Sequence, residues 1–199
     1  MSADVAELRE GRRWLREEEQ RRCRDRDFGR ALSLYGSPER APKLREWRTR
    51  YGMTTEELRG VLQEAWNVIE AWSTPEWNEV KLAWLRETGY VSDSSRKFSG
   101  ELTVYRGNLG EPEPAGLSWT LSRDEARHFA LVAASSRGSF LGMHGGHPVP
   151  TVWRATVASS DVLGYFVSRG EDEVVVDPAT LRDVEAVERP SEEARLPSA

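Results

Sequence analysis

The hydrophobic period of this sequence changes near residue 100, and this change limits the fold more than any other feature. Before it, apolar side chains recur every three to four residues, as on one face of a helix. After the polar, Ser-rich segment 91–100, apolar and polar residues alternate in short runs bounded by Gly and Pro, as in strands. The sequence therefore predicts an α+β fold, with a helical region over 1–95, a mixed core over 96–188 and a disordered tail over 189–199.

Helix start signals divide the N-terminal region into segments. The clearest signal is the capping box at Thr54 and Glu57, in which each side chain accepts a hydrogen bond from the other residue's free N–H group. It opens a helix whose apolar stripe comprises Leu58, Val61, Leu62, Ala65, Trp66 and Ile69. Further helices are predicted over 4–24 and 26–35, from Ser37 to Gly52 and from Thr74 to Gly89. The tryptophans of these helices are interpreted as core residues of a scaffold or of a partner-binding lobe.

The second region alternates between strand and loop signals. Strands are predicted over 102–106, 117–121, 151–157, 173–176 and 181–187, with a turn over 167–170. A capping box at Ser122 and Glu125 predicts a helix between the second and third strands. Ser160 to Leu163 is interpreted as a single helical turn. The Gly-rich segment 135–150 is predicted to be a loop and a candidate lid.

Charge is distributed unevenly between the two regions. Residues 1–100 hold 19 basic and 18 acidic side chains, a net charge of +1, whereas residues 101–199 hold 9 and 15, a net charge of −6. An acidic surface disfavours nucleic acid as a partner, because binding phosphates requires clustered cations. No apolar run approaches the roughly 20 residues that span a bilayer, so no membrane partner is expected. The oligomeric state is left open.

The chain has one cysteine, Cys23, and a charged N-terminus without an apolar signal-peptide segment. A reducing cytoplasm is therefore the expected location, which includes the host cytoplasm if the protein is a viral enzyme, a toxin or a delivered effector. His144 and His147 lie in a Gly-rich loop without nearby cysteine or carboxylate partners, and they are interpreted as loop residues. No metal is expected.

Three short segments carry candidate chemistry. Arg106 ends a predicted strand and is followed by Gly107; its guanidinium can grip phosphate oxygens, and Gly107 lets a flat ligand approach closely. The alternative for Arg106 is a structural ion pair. Ser118 and Thr120 are two residues apart, so a strand would present both hydroxyls on one face, although hydroxyls on an edge strand are also common.

The third segment, Glu171-Asp172-Glu173, directly precedes an apolar run. Adjacent acids at the start of a buried strand are unfavourable unless they are solvated, paired or functional. A solvated surface turn is therefore the alternative to a catalytic role. Glu171 and Glu173 share one face if the segment is extended.

In this order the three segments resemble the Arg–Ser–Glu class of ADP-ribosyltransferases, the cholera-toxin-like and clostridial-toxin-like branch. The resemblance rests on Tyr105-Arg106-Gly107, on Ser118-Trp119-Thr120 and on Glu171-Asp172-Glu173-Val174. It covers roughly residues 100–187 and leaves residues 1–90 unassigned. Trp119 stands where the family usually has Thr, and the interval from Arg106 to Ser118 is short for the family. The resemblance implies a split β-sandwich core and NAD as substrate, without a metal.

The resemblance also implies roles for single residues. Glu173 stabilises the positive charge that develops on the ribose when the bond to nicotinamide breaks. Ser118 orients that carboxylate and belongs with Thr120 to the NAD-binding set. Arg106 holds the pyrophosphate, and the backbone of Gly107 holds the nicotinamide carboxamide.

On the acceptor side, the resemblance assigns Glu171 to positioning or deprotonating an arginine guanidinium of a target protein. The turn from Tyr165 to Gly170 corresponds to the acceptor-recognition loop, with Tyr165 and Phe166 offering aromatic contacts. The leading hypothesis is thus an NAD-dependent mono-ADP-ribosyltransferase that modifies arginine in a protein acceptor. An NAD glycohydrolase, transfer to a nucleic acid and a non-enzymatic binding module on the same fold remain alternatives.

Overall fold

The computed structural model describes residues 3–69, 75–109, 116–141, 149–168 and 170–189. The chain divides into two compact units, Met1–Thr88 and Gly89–Ala199. The first unit is helical and the second contains the sheet, so the coarse prediction of an α+β fold with N-terminal helices is confirmed. The division lies between Thr88 and Gly89, earlier in the chain than the predicted boundary after residue 95.

Five helices form the described part of the helical unit: α1 (Ala3–Arg24), α2 (Phe28–Leu32), α3 (Ser37–Arg50), α4 (Thr55–Ile69) and α5 (Pro75–Thr88). Both bonds of the predicted capping box are present before α4: the Thr54 N–H donates to Glu57 at 2.8 Å, and the Glu57 N–H donates to the Thr54 hydroxyl at 3.2 Å. The N-cap of α3 is Gly36, one residue before the predicted start. The predicted start of α5 at Thr74 lies outside the described residues.

Tryptophans and leucines form the centre of the helical unit. Large apolar side chains that are almost fully buried there include Phe28, Leu32, Leu44, Trp47, Leu58, Leu62, Trp66 and Leu85. Trp47 packs against Phe28 and Tyr35, with ring centroids 6.2 and 6.1 Å apart. Burying each such side chain contributes on the order of 1.5–3 kcal/mol. Most residues of the predicted α4 stripe are buried, so the stripe is the core face of that helix.

The second unit contains seven strands and one long helix in its described residues. They are β1 (Val91–Ser92), β2 (Glu101–Leu109), β3 (Ser118–Thr120), α6 (Arg123–Leu141), β4 (Pro150–Ala158), β5 (Val162–Phe166), β6 (Glu173–Val176) and β7 (Arg182–Glu188). The strands form one mixed sheet in the order β1-β5-β6-β3-β2-β4-β7. β1 pairs parallel with β5, and the other neighbours are antiparallel.

Three elements of this unit differ from the sequence predictions. The helical turn predicted over Ser160–Leu163 is a 3₁₀ turn over Ser159–Asp161, and the strand β5 begins directly after it at Val162. Because β5 lies between two other strands and is largely buried, its apolar residues run continuously and show no alternation. The first residues of the predicted connector form β1, and α6 extends to Leu141 into the predicted loop. Residues 142–148 and the predicted tail from 190 lie outside the described residues.

The two faces of the sheet have different coverings. One face carries the larger apolar cluster, which contains Val104, Trp119, Trp153, Ala155, Val157, Val162, Tyr165, Val174 and Val176. The other face packs against α6, where Ala126 and Ala130 meet Val152, with Tyr105 alongside. We call the second face the α6 face. Within the described parts of the chain, no helix is both long and apolar enough to cross a membrane.

Candidate active site

The strands that carry the three candidate segments are neighbours in the sheet. β3 lies between β2 and β6, although β6 follows it by about fifty residues in the chain. Thr120 of β3 is in register with Tyr105 of β2 on one side and with Glu173 of β6 on the other. Arg106, Ser118 and Glu173 therefore lie on three adjacent strands. Glu173 belongs to this row of paired residues, Arg106 is one residue away from it along β2, and Ser118 is two residues away along β3.

Ser118 and Glu173 share the α6 face of the sheet. Thr120 points to this face because its hydroxyl bonds to Glu125 of α6, and Glu173 stands directly opposite it. Ser118 is two residues from Thr120 and so points the same way. Trp119 and Val174 belong to the apolar cluster on the opposite face. Diagonal neighbours in adjacent strands are about 7–8 Å apart, so Ser118 and Glu173 lie at the distance of a diagonal side-chain pair.

Arg106 starts from the opposite face and reaches β3. Its neighbours Tyr105 and Gly107 both face α6, so the Arg106 side chain leaves β2 on the other side. Its guanidinium donates to the main-chain carbonyl of Ser118 and lies over Gly116, where an added Cβ would come within 2.6 Å of the guanidinium carbon. The structure thus links Arg106 to the backbone of β3, while its Cβ does not share a face with Ser118 and Glu173.

Gly107 is required by the packing of α6. A Cβ built at this position would lie 1.7 Å from the carbonyl oxygen of Ala126 and 2.6 Å from the N atom of Ala130. The face of Gly107 that lacks a side chain is therefore covered by the helix backbone. The expectation that this glycine is small so that a flat ligand can approach is corrected: it is small because α6 crosses β2 closely.

Thr120 connects β3 to α6 through its hydroxyl group. Its hydroxyl donates to Glu125 at 2.6 Å and accepts the N–H of Ser122 at 3.1 Å, and the residue is buried. The prediction that Thr120 binds NAD is corrected on these grounds, because its hydroxyl is already committed to α6. Glu125 makes only the Ser122 half of the predicted capping box; its carboxylate accepts from Thr120 and from the Asp172 N–H at 3.3 Å.

Tyr165 and Phe166 lie within β5 and not in a loop. They are 2% and 3% exposed, so the prediction that they contact an acceptor is corrected. The Tyr165 hydroxyl donates to Asp172 and accepts from Arg96 at 3.1 Å. Burial, followed by the hydrogen bond to Asp172, raises the pKa of Tyr165, so it remains a proton donor at neutral pH.

The turn after β5 is held by Asp93. Its two carboxylate oxygens accept the N–H groups of Val167 and Ser168 at 2.9 and 3.0 Å. The turn continues to Gly170, whose φ of +75° lies in the left-handed region and favours glycine. Glu171 follows this turn and is half-buried, and Glu173 is 9% exposed at the start of β6.

The sequence interpretation missed Asp93, Arg96 and Glu125. Asp93 and Arg96 lie in the polar segment that was interpreted only as a connector, since no period or motif distinguishes them. Glu125 was visible as a capping-box residue, which explains its N–H but not its carboxylate. Only their tertiary contacts identify these residues: Asp93 bonds to the turn after β5, and Arg96 and Glu125 contact Asp172.

The two histidines of the predicted loop and the single cysteine lie outside the three candidate segments. Among those residues there is no group of three His, Cys, Asp or Glu side chains that could hold a metal ion. His144 and His147 lie outside the described residues. Cys23 is fully buried in the helical unit, and burial together with nearby Glu19 raises the pKa of its thiol to about 12. A thiol with this pKa is a poor nucleophile at neutral pH.

Comparisons with protein-family models, curated proteins and solved structures found no match for the chain.

Proposed function

We propose that the protein is an NAD-dependent mono-ADP-ribosyltransferase that modifies an arginine side chain of a protein and releases nicotinamide. The observation that carries the proposal is the adjacency of β6, β3 and β2, which brings together the three segments on which the resemblance rests. Their order in the chain does not require this arrangement, because β4 and β5 separate the second segment from the third.

The bond that breaks joins the anomeric carbon of the ribose to the nicotinamide nitrogen. Its electron pair leaves with nicotinamide, and the ribose passes through an oxocarbenium-like state. In the proposal, the Glu173 carboxylate stabilises this positive charge and the Ser118 hydroxyl orients the carboxylate. The placement of Ser118 and Glu173 as a diagonal pair on the α6 face supports this division of roles. Arg106 would contact the pyrophosphate.

The sparse pairing between β2 and β3, which we call the seam, supports the finer proposal of a split β-sandwich. Among the described residues, β2 and β3 are joined by the single registered pair of Tyr105 and Thr120, whereas β2 and β4 are joined by nine pairs. The seam separates β1-β5-β6-β3 from β2-β4-β7. Arg106 crosses the seam to the Ser118 carbonyl, so its guanidinium and the main chain of Ser118 both border the seam.

Glu171 distinguishes transfer from hydrolysis. In the transferase, a guanidinium nitrogen of the acceptor attacks the anomeric carbon and passes its proton to the Glu171 carboxylate. In the alternative, a glycohydrolase, water attacks in its place. The burial of Tyr165 and Phe166 favours this alternative, because it removes the aromatic contacts expected on the acceptor side.

Release of nicotinamide from NAD tests both enzyme functions. We expect release by the wild-type protein and a loss of about 10²–10³-fold in Glu173→Gln, the cost of removing one preorganised electrostatic group. Glu185→Gln is the matched control, because Glu185 is an exposed glutamate on β7 of the same sheet, paired with Arg154. Absence of release by the wild-type protein would leave only the binding-module interpretation.

Labelled NAD and an arginine-containing protein lysate separate the two enzymes. A transferase labels protein, and Glu171→Gln abolishes the labelling while nicotinamide release into water continues. Equal loss of labelling and release in Glu171→Gln contradicts the acceptor role of Glu171. Release without any labelled protein in the wild type favours the glycohydrolase.

A further inference from the structure

We propose that Glu125 and Arg96 are positioning residues that hold the Glu171–Glu173 segment through the residue between the two glutamates, Asp172. This inference rests on the proposed function, because positioning matters only if Glu171 and Glu173 take part in the reaction. Neither Glu125 nor Arg96 belongs to the three segments on which the resemblance rests. Both come from elements outside β2, β3 and β6.

The main chain of Asp172 is held from the side of β3 and α6. Its N–H donates to Glu125 at 3.3 Å, and its carbonyl accepts the Leu121 N–H at 3.1 Å. The same Glu125 oxygen accepts the Thr120 hydroxyl at 2.6 Å. Because Thr120 stands opposite Glu173, one carboxylate fixes both the N–H of the residue before Glu173 and the residue across from Glu173.

The side chain of Asp172 is held from the side of β5. It accepts the Tyr165 hydroxyl and lies 3.6 Å from the Arg96 guanidinium. Arg96 in turn stacks over Phe98 and Tyr165, at 5.1 and 5.5 Å from the ring centroids. Phe98 and Tyr165 meet edge to face at 4.9 Å. Arg96 is therefore fixed by two aromatic rings as well as by its acidic partner.

These contacts, which we call the Asp172 clamp, comprise Glu125, Leu121, Tyr165 and Arg96 around Asp172. They hold the N–H, the carbonyl and the side chain of one residue from two sides. Successive side chains of an extended chain point to opposite faces, so turning Asp172 toward Tyr165 turns Glu173 toward the α6 face. The clamp thus sets the direction of the carboxylate that the proposed reaction uses.

Kinetics of nicotinamide release test the clamp. We expect Glu125→Ala and Arg96→Ala to lower kcat by about 10–100-fold, as loss of supporting contacts does at other sites, with KM for NAD unchanged. Glu125→Gln should recover part of the loss, because its amide oxygen still accepts the Asp172 N–H. Asp124→Ala and Lys97→Ala are the neighbouring controls and should retain wild-type kcat.

Amide hydrogen exchange of Asp172 gives a second measurement that does not require activity. Loss of a hydrogen bond to a carboxylate should speed its exchange at least about tenfold in Glu125→Ala, but not in Asp124→Ala. Unchanged kcat or unchanged Asp172 exchange in Glu125→Ala would overturn the inference. A wild-type protein without NAD activity would instead refute the proposed function, and exchange would then decide the clamp alone.

Discussion

Two buried glutamates, one in each unit, occupy different kinds of position in the fold. Glu19 of the helical unit is 3% exposed, and donors of three kinds meet its carboxylate: the Tyr35 hydroxyl, the Trp47 indole N–H at 3.0 Å and the Lys43 ammonium at 3.1 Å. Glu173 of the sheet unit is 9% exposed and begins its strand directly after two other acids, Glu171 and Asp172.

The comparison shows that burial alone does not distinguish a carboxylate enclosed by structural partners from one proposed to act on a substrate. Burial would raise the pKa of Glu19, yet the hydrogen bonds from Tyr35, Trp47 and Lys43 outweigh it and lower the pKa below the usual value of 4.5. Glu19 is thus a charge enclosed by its partners within the helical unit. Glu173 lies instead at the start of β6, opposite Thr120 of β3 and directly after the clamped residue Asp172.

The largest expected effect is on stability when Glu19 is removed. Glu19→Ala leaves Lys43, Tyr35 and Trp47 without their common acceptor, and loss of one partner of a buried charged pair costs about 3–5 kcal/mol of unfolding free energy. Denaturant unfolding measures this loss. Glu17→Ala, at a glutamate whose side chain is 70% exposed, is the control and should change stability by less than about 0.5 kcal/mol. A stable Glu19→Ala protein would break the contrast between the two glutamates.

A second comparison concerns two glycines. Gly107→Ala forces a methyl group against the α6 backbone, where the nearest atom is 1.7 Å away, and should destabilise the protein by about 1–3 kcal/mol or more. Gly60 lies in α4 with nothing within 4 Å of an added Cβ, so Gly60→Ala should stabilise by about 0.5–1 kcal/mol. Thermal unfolding compares the two; shifts in the same direction would contradict the packing role of Gly107.

The smallest expected effect is a pH dependence of the helical unit. Hydrogen bonds from Arg26 lower the pKa of Glu57 from 4.5 to about 2. A carboxylate with a lowered pKa in the folded state stabilises the protein above its unfolded pKa, and this contribution disappears as pH falls through the folded pKa. Unfolding free energy should therefore decrease from about pH 4.5 toward pH 2, and Glu57→Gln should decrease less steeply over the same range.

Local signals in the sequence were sufficient for much of the fold. The period of α4 and the capping box at Thr54 and Glu57 lie within a few residues of one another, so they predict the helix without reference to its neighbours. β5 could not be predicted in the same way. A five-residue apolar run without alternation fits a buried strand or a helical turn equally, and its pairing with β1 and β6 decides the matter.

The sequence by itself determined which residue types could carry chemistry: an Arg followed by Gly, a Ser on a strand and acids at the start of a strand, in that order. The predicted position of Arg106 at the end of its strand was wrong, because β2 continues to Leu109. The tertiary structure alone decided that their strands are neighbours, that Tyr165 and Phe166 are buried, and that Glu125 and Arg96 meet at Asp172. The physical reason is that hydrogen bonds between strands, and the contacts around Asp172, join residues far apart in the chain. Such pairings depend on the whole sheet and leave no local period to detect.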